Sequence, residues 1–174
     1  RGRLDEIQER TARIDARGAS VKRDIDELRA AAGLVPATGP GIVLTLDDGR
    51  LPASASRRTI ELAIVHSQDI TDVFNAAWKA GALGISVNGE RVTAATACVG
   101  ATIQINGRLM SPPFLVSLLG PPDQLMRALG DPNELRDLKR RRDLYGLGLQ
   151  LDRASEVKLP AYSGIVPVRY AKPL

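Results

Sequence analysis

The stretch "LGISVNGERVTA", residues 83–94, admits one local structure. Leu83, Ile85 and Val87 alternate with polar or small residues, and Val92 and Ala94 alternate again after a break. Between them stands Asn88-Gly89, the pair best suited to a type I′ turn, where both central residues need positive φ. A two-residue turn also fixes the register. Val87 must face Glu90, Ser86 must face Arg91, and Ile85 must face Val92. This places Arg91 on the polar face with Ser86 and Thr93, away from the core. A second Asn-Gly pair, Asn106-Gly107 in "TIQINGRLM", predicts another hairpin. A chain with such turns contains antiparallel sheet, and what lies between them decides the class.

Helical segments lie between. Ile70, Val73, Phe74, Ala77 and Trp78 repeat at i, i+3, i+4, i+7, i+8, which predicts an amphipathic helix with its apolar face on a sheet. Ser67 is the expected N-cap, with His66 just before it, Asp69 in the first turn and Gly81 at the end. Upstream, "TGPGIVLTLDDG" breaks the chain at Gly39-Pro40-Gly41 and then alternates through Ile42, Leu44 and Leu46 as a strand. Residues 47–58 show no period and read as a mobile loop, and 60–65 as a second short strand. "SPPFLVSLLGPP" predicts a strand at 114–119, closed by Pro121 and Pro122. Helices are expected at 123–129 and 133–145, and two closing strands at 149–151 and 157–159. The mixture predicts an α+β domain over 34–164, a mainly antiparallel sheet with helices on one face, ferredoxin-like in topology, with a tail at 165–174. Hydrophobic residues make up 44% of the chain and aromatics only 3%, so an aliphatic core is expected.

Residues 1–33 obey a different period. Leu4, Ile7, Thr11, Ile14, Gly18, Val21, Ile25, Leu28 and Ala32 are spaced 3, 4, 3, 4 throughout. That is a heptad register, and it predicts a coiled-coil helix about 48 Å long. Leu4, Ile7, Ile14, Val21, Ile25 and Leu28 form the expected interface of a homodimer, with Thr11 and Gly18 as weak points. The alternative is an amphipathic helix folded back on the domain. Gly33 is placed to end the helix, with Pro36 beyond it. The start at Arg1, inside an apparent helix, leads us to expect an upstream segment, such as a signal or anchor.

Little in the sequence points to a reaction. His66 and Cys98 are the sole histidine and cysteine, so they form no zinc ligand cluster, and no metal or cofactor is expected. His66, Ser67 and Asp69 resemble parts of a nucleophilic site, but a helix start accounts for all three, and no serine lies in a G-x-S-x-G elbow. Asp47-Asp48 precede Gly49 as ordinary turn residues. Net charge is +4, with acids and bases interspersed. "DLKRRRDL" at 137–144 could hold phosphates through Arg140, Arg141 and Arg142, but reads better as a solvated helix face with Leu135, Leu138 and Tyr145 turned inward.

Four stretches taken together, "PGIVLTLDDG", "VHSQDITDVFNAAWKAGALGISVNGERV", "INGRLMSPPFLV" and "LPAYSG", resemble the YlxW-like bacterial proteins of unknown activity. The resemblance implies a membrane anchor, a coiled coil, and a C-terminal α+β domain outside the cytoplasm, from genes near cell-division and envelope clusters. It implies an envelope or division protein as partner and counts against nucleic acid. His66, Asp69, Asn75, Asn88, Arg91 and Tyr162 fall at family-like polar positions. Asn88 is explained by its turn, so His66, Asp69, Asn75 and Arg91 form the candidate binding surface. The expected function is a non-enzymatic envelope protein. The alternative is a ligand-binding or catalytic pocket around His66 and Arg91.

Overall fold

The computed structural model describes residues 2–93 and 103–164, with side-chain environments from Asp15 onward. Ala94, Cys98 and the 165–174 tail lie outside the described residues, as do the side chains of Leu4, Ile7, Thr11 and Ile14. Helix α1 runs Gly2–Ala31. It stops because Gly33, at φ 72°, takes the left-handed conformation. The Gly33 N–H then donates to Ala30 O and the Leu34 N–H to Arg29 O, at 3.0 and 2.8 Å. This is a Schellman cap, as the position of Gly33 predicts.

Five strands form one antiparallel sheet in the order β3-β2-β6-β1-β7. They are β1 (Ala37–Asp47), β2 (Gly84–Val87), β3 (Glu90–Val92), β6 (Phe114–Leu119) and β7 (Gly148–Leu159). The β2–β3 hairpin has the predicted register, Ile85 facing Val92, Ser86 facing Arg91 and Val87 facing Glu90. Asn106-Gly107 turns the short separate hairpin β4 (Gln104–Ile105) and β5 (Arg108–Leu109).

Alternation divides the sheet into two faces. Ile42, Leu44, Leu46, Ile85, Val87, Val116 and Leu118 share one core with Ile70, Val73, Phe74 and Ala77 of α3 (Ser67–Lys79), Leu125 and Leu129 of α4 (Pro122–Gly130), and Leu138 of α5 (Arg136–Tyr145). The smaller cluster of Leu119, Val157 and Leu159, with Ala37 and Ala154, lies on β1, β6 and β7 outside that core. Among the described residues no helix is long and apolar enough to cross a membrane.

Several expected boundaries move. Residues 60–65 are not a strand but the end of helix α2 (Arg57–Ala63) and its exit. Ser56 caps that helix, its hydroxyl accepting the Thr59 N–H at 3.2 Å, and Ile60 is exposed rather than on a sheet face. The segment before α2 is tied to the segment after it: the Val65 N–H donates to Asp48 Oδ1 at 2.7 Å. The two closing strands are one, β7, because β1 offers it a partner from Ala37 to Asp47 and its polar middle points to solvent. Strand β1 also starts earlier, running through Gly39-Pro40-Gly41 with a bulge there. Gly41 makes this possible, since a Cβ would lie 2.0 Å from Leu118 O. Helix α5 begins at Arg136, after Leu135 turns left-handed at φ 53°.

Candidate functional site

The N-terminus of α3 is built on an ion pair. His66, not Ser67, is the N-cap. The His66 backbone N–H donates to Asp69 Oδ2 at 2.7 Å, so the acid at N3 closes the first turn. The Asp69 carboxylate also receives Arg141 Nη1 at 3.0 Å and Nη2 at 2.8 Å, and both side chains are buried. Arg141 spends its other donors on the α2–α3 connection, Nε on Leu62 O at 3.2 Å and Nη2 on Ile64 O at 3.0 Å. One guanidinium thus joins α5, α3 and the end of α2. Burial pushes the Asp69 carboxyl above the ordinary carboxylate range, against the opposing pull of the His66 N–H and Arg141.

Arg141 was expected on a solvated face, and its burial corrects that. The charge run hides an inward stripe: Arg141 stands three residues after Leu138 and four before Tyr145. It cannot serve a surface patch for phosphates. Two other bases of the run are also engaged, Arg142 with Asp143 at 2.8 Å, and Lys139 with Leu129 O at 2.7 Å and with Asp131 O.

Asp69 leaves little for catalysis by His66. The imidazole Nδ1 is 3.5 Å from Asp69 Oδ2, and that oxygen already receives the His66 N–H and Arg141. The ring is 45% exposed and acts as the outer edge of a cap.

Arg91 occupies a second, separate environment. The hairpin register places it on the face shared with Ser86, as expected, but that face is covered. Arg91 is 5% exposed and Ser86 2%. The guanidinium lies between two glycines. A Cβ on Gly33 would come 3.2 Å from Arg91 Nε, and one on Gly84 would come 3.0 Å from Nη2. The Schellman turn of α1 therefore roofs the arginine and β2 floors it. The segment after β7 closes the end: Arg91 Nη1 donates to Pro160 O at 3.3 Å, and the Tyr162 N–H donates to Gly33 O at 2.8 Å. Arg91 Nε is buried without an acceptor. Burial pushes this guanidinium below its ordinary pKa. The adjacent acid does not help, because Glu90 pairs with Arg108 at 2.7 Å.

The four candidate residues do not converge. Asp69 and Asn75 line a cleft of about 300 Å³ between α3 and the start of α5, with Asp72, Lys79 and Glu134. Arg91 lines a different cavity, of about 600 Å³, beside the root of α1. His66 lines neither. Neither of these two cavities brings His66 and Arg91 together. Trp78 also departs from expectation: it is 42% exposed and lines the Arg91 cavity. Sequence reasoning missed Gly84 altogether, and it read Gly33 only as a helix cap and Arg141 only as surface charge, not as the neighbours of Arg91 and Asp69. Among the described residues no group of three or more His, Cys, Asp or Glu side chains could hold a metal ion.

Comparison with known proteins gives a consistent picture. The profile of a family described as "Bacterial protein of unknown function (DUF881)" matches residues 24–172. The chain is 31% identical over 120 residues to UPF0749 protein YlxW of Bacillus subtilis, covering 68% of this chain and 51% of that protein. It is 27% identical over 177 residues to UPF0749 protein Rv1823 of Mycobacterium tuberculosis, covering 98% of this chain and 57% of that one. The chain thus spans little more than half the length of these relatives. A crystal structure of an uncharacterised conserved protein from Mycobacterium tuberculosis superposes with a TM-score of 0.67 at 26% identity, covering 87% of this chain and 99% of that one.

Proposed function

Because the chain belongs to the DUF881 family of bacterial proteins of unknown function, the family of YlxW, we propose that it is a non-enzymatic envelope protein that pairs with a second copy through α1 and presents its α+β domain to a division or wall-synthesis protein. One observation carries the pairing. Val21, Ile25 and Leu28 follow each other by 4 and 3 residues on α1, yet they are 51%, 49% and 69% exposed. Nothing in the described domain covers this stripe, and from Asp15 onward α1 is tied to the domain at its cap. A folded-back helix would bury those three residues. A parallel coiled coil would bury them against themselves.

In the sequence, Leu4, Ile7 and Ile14 continue the same heptad spacing toward the N-terminus. The whole protein is attached to the membrane in this reading, with the domain outside the cytoplasm, as its family resemblance implies. The succession β1-helix-β2 and β6-helix-β7, in the order β7-β1-β6-β2, supports reading the sheet as ferredoxin-like with β3 added at one edge. The engaged states of Asp69 and Arg141 favour an interaction domain over a catalytic one.

Sedimentation equilibrium tests the pairing. The 174-residue chain is expected to be a dimer at micromolar concentration, and the Val21→Lys/Ile25→Lys/Leu28→Lys variant a folded monomer. Identical masses for the two chains would remove the proposal.

A further inference from the structure

The cavity beside the root of α1 combines features that the pairing of α1 does not use. Its charged group is Arg91, buried, with no carboxylate within ion-pair distance among the described residues. A largely buried guanidinium without a counter-ion is a standing cost to the fold. Among the described residues its one acceptor, Pro160 O, is a neutral carbonyl at 3.3 Å. The side chain is also held in place, slotted between Gly33 and Gly84. The strand beneath it is pinned in turn, since Asn106 Nδ2 donates to Arg91 O at 2.8 Å.

The rest of the cavity is of a different character. Leu34, Trp78, Leu83 and Tyr162 line it, and Trp78 and Leu83 are 42% and 73% exposed. At about 600 Å³ its size is that of a small-molecule site. A bare phosphate would find one guanidinium and few further donors. A neutral apolar molecule would leave that guanidinium unpaired. We propose that this cavity binds a small amphipathic anion, a carboxylate or phosphate monoester carrying an apolar chain, with its head on Arg91 and its body along Trp78, Leu83 and Leu34. The site is independent of pairing through α1, although α1 supplies its roof.

Trp78 is the sole tryptophan of the chain, so its fluorescence reports on this cavity. The test titrates the 174-residue chain with decanoate, decyl phosphate, decanol and inorganic phosphate at submicellar concentrations. Decanoate or decyl phosphate is expected to produce a saturable change in Trp78 emission, and whichever binds tighter identifies the head group. Decanol and inorganic phosphate should bind at least tenfold more weakly. Leu83→Asp, at an exposed position, should weaken the anion at least tenfold while leaving the circular dichroism spectrum unchanged. In Arg91→Gln the preference for decanoate over decanol should fall below about twofold, and if that variant does not fold, Leu83→Asp carries the test. No saturable change with either anionic amphiphile would overturn the proposal. So would decanol binding as tightly as decanoate, or Leu83→Asp binding both anions like the native chain.

Discussion

Arg141 reaches across 72 positions of sequence to Asp69 and sets both Nη atoms on its carboxylate, at 3.0 and 2.8 Å. Both side chains are buried, so each depends on the other. Removing one partner leaves an uncompensated charge, which costs about 3–5 kcal/mol, whereas replacing both with apolar groups is often near neutral. Asp69→Ala and Arg141→Met should therefore each destabilise the domain by roughly that amount in urea unfolding. The double variant should be less destabilised than the sum of the two. Additive losses would mean that the pair is not coupled.

Gly33 does two tasks, and its substitution tests both. Its φ of 72° disfavours any side chain, and a Cβ would press to 3.2 Å from Arg91 Nε. Gly33→Ala should cost about 1 kcal/mol through backbone strain alone. Gly84→Ala meets Leu159 Cδ1 at 2.6 Å and Arg91 Nη2 at 3.0 Å, without a positive φ. It should cost roughly 1–3 kcal/mol as overpacking. Thermal unfolding of both variants checks the ranking, with Gly84→Ala the worse.

How much of this was legible in the sequence depended on how local the determinant was. Asn88-Gly89 dictated its own hairpin and register, and Gly33 its own helix cap, because turn chemistry is decided within a few residues. The α2 helix was misread as a strand because Ile60, Leu62 and Ile64 alternate, while the Ser56 cap that starts the helix lies outside that window. Arg91 was placed on the correct face, but what covers that face comes from residues 33 and 160, far along the chain. The division of His66, Asp69, Asn75 and Arg91 between separate environments is likewise tertiary. Only Arg141 left a local trace, through its spacing from Leu138 and Tyr145.

Asn88 joins the hairpin to the neighbouring strand as well as turning it. Its Oδ1 accepts the Leu115 N–H at 2.7 Å, and its φ is 46°. Asn88→Gly keeps the turn and loses this hydrogen bond and the longer one that Nδ2 donates to Pro113 O, so it should cost about 1 kcal/mol. Asn88→Ala loses both bonds and strains the turn as well, and should cost about 1 kcal/mol more. Equal losses in chemical denaturation would show that the side-chain bonds alone matter.

The pairing of α1 is tested most directly by a disulfide across the proposed seam. In a parallel, in-register coiled coil the two copies of Leu28, at a d position, face each other within disulfide reach. With Cys98 changed to Ser, Leu28→Cys should oxidise to a covalent dimer under mild conditions, while Asp26→Cys, on the outer face, should not. A Leu28→Cys chain that stays monomeric, or that cross-links no faster than Asp26→Cys, would contradict the account.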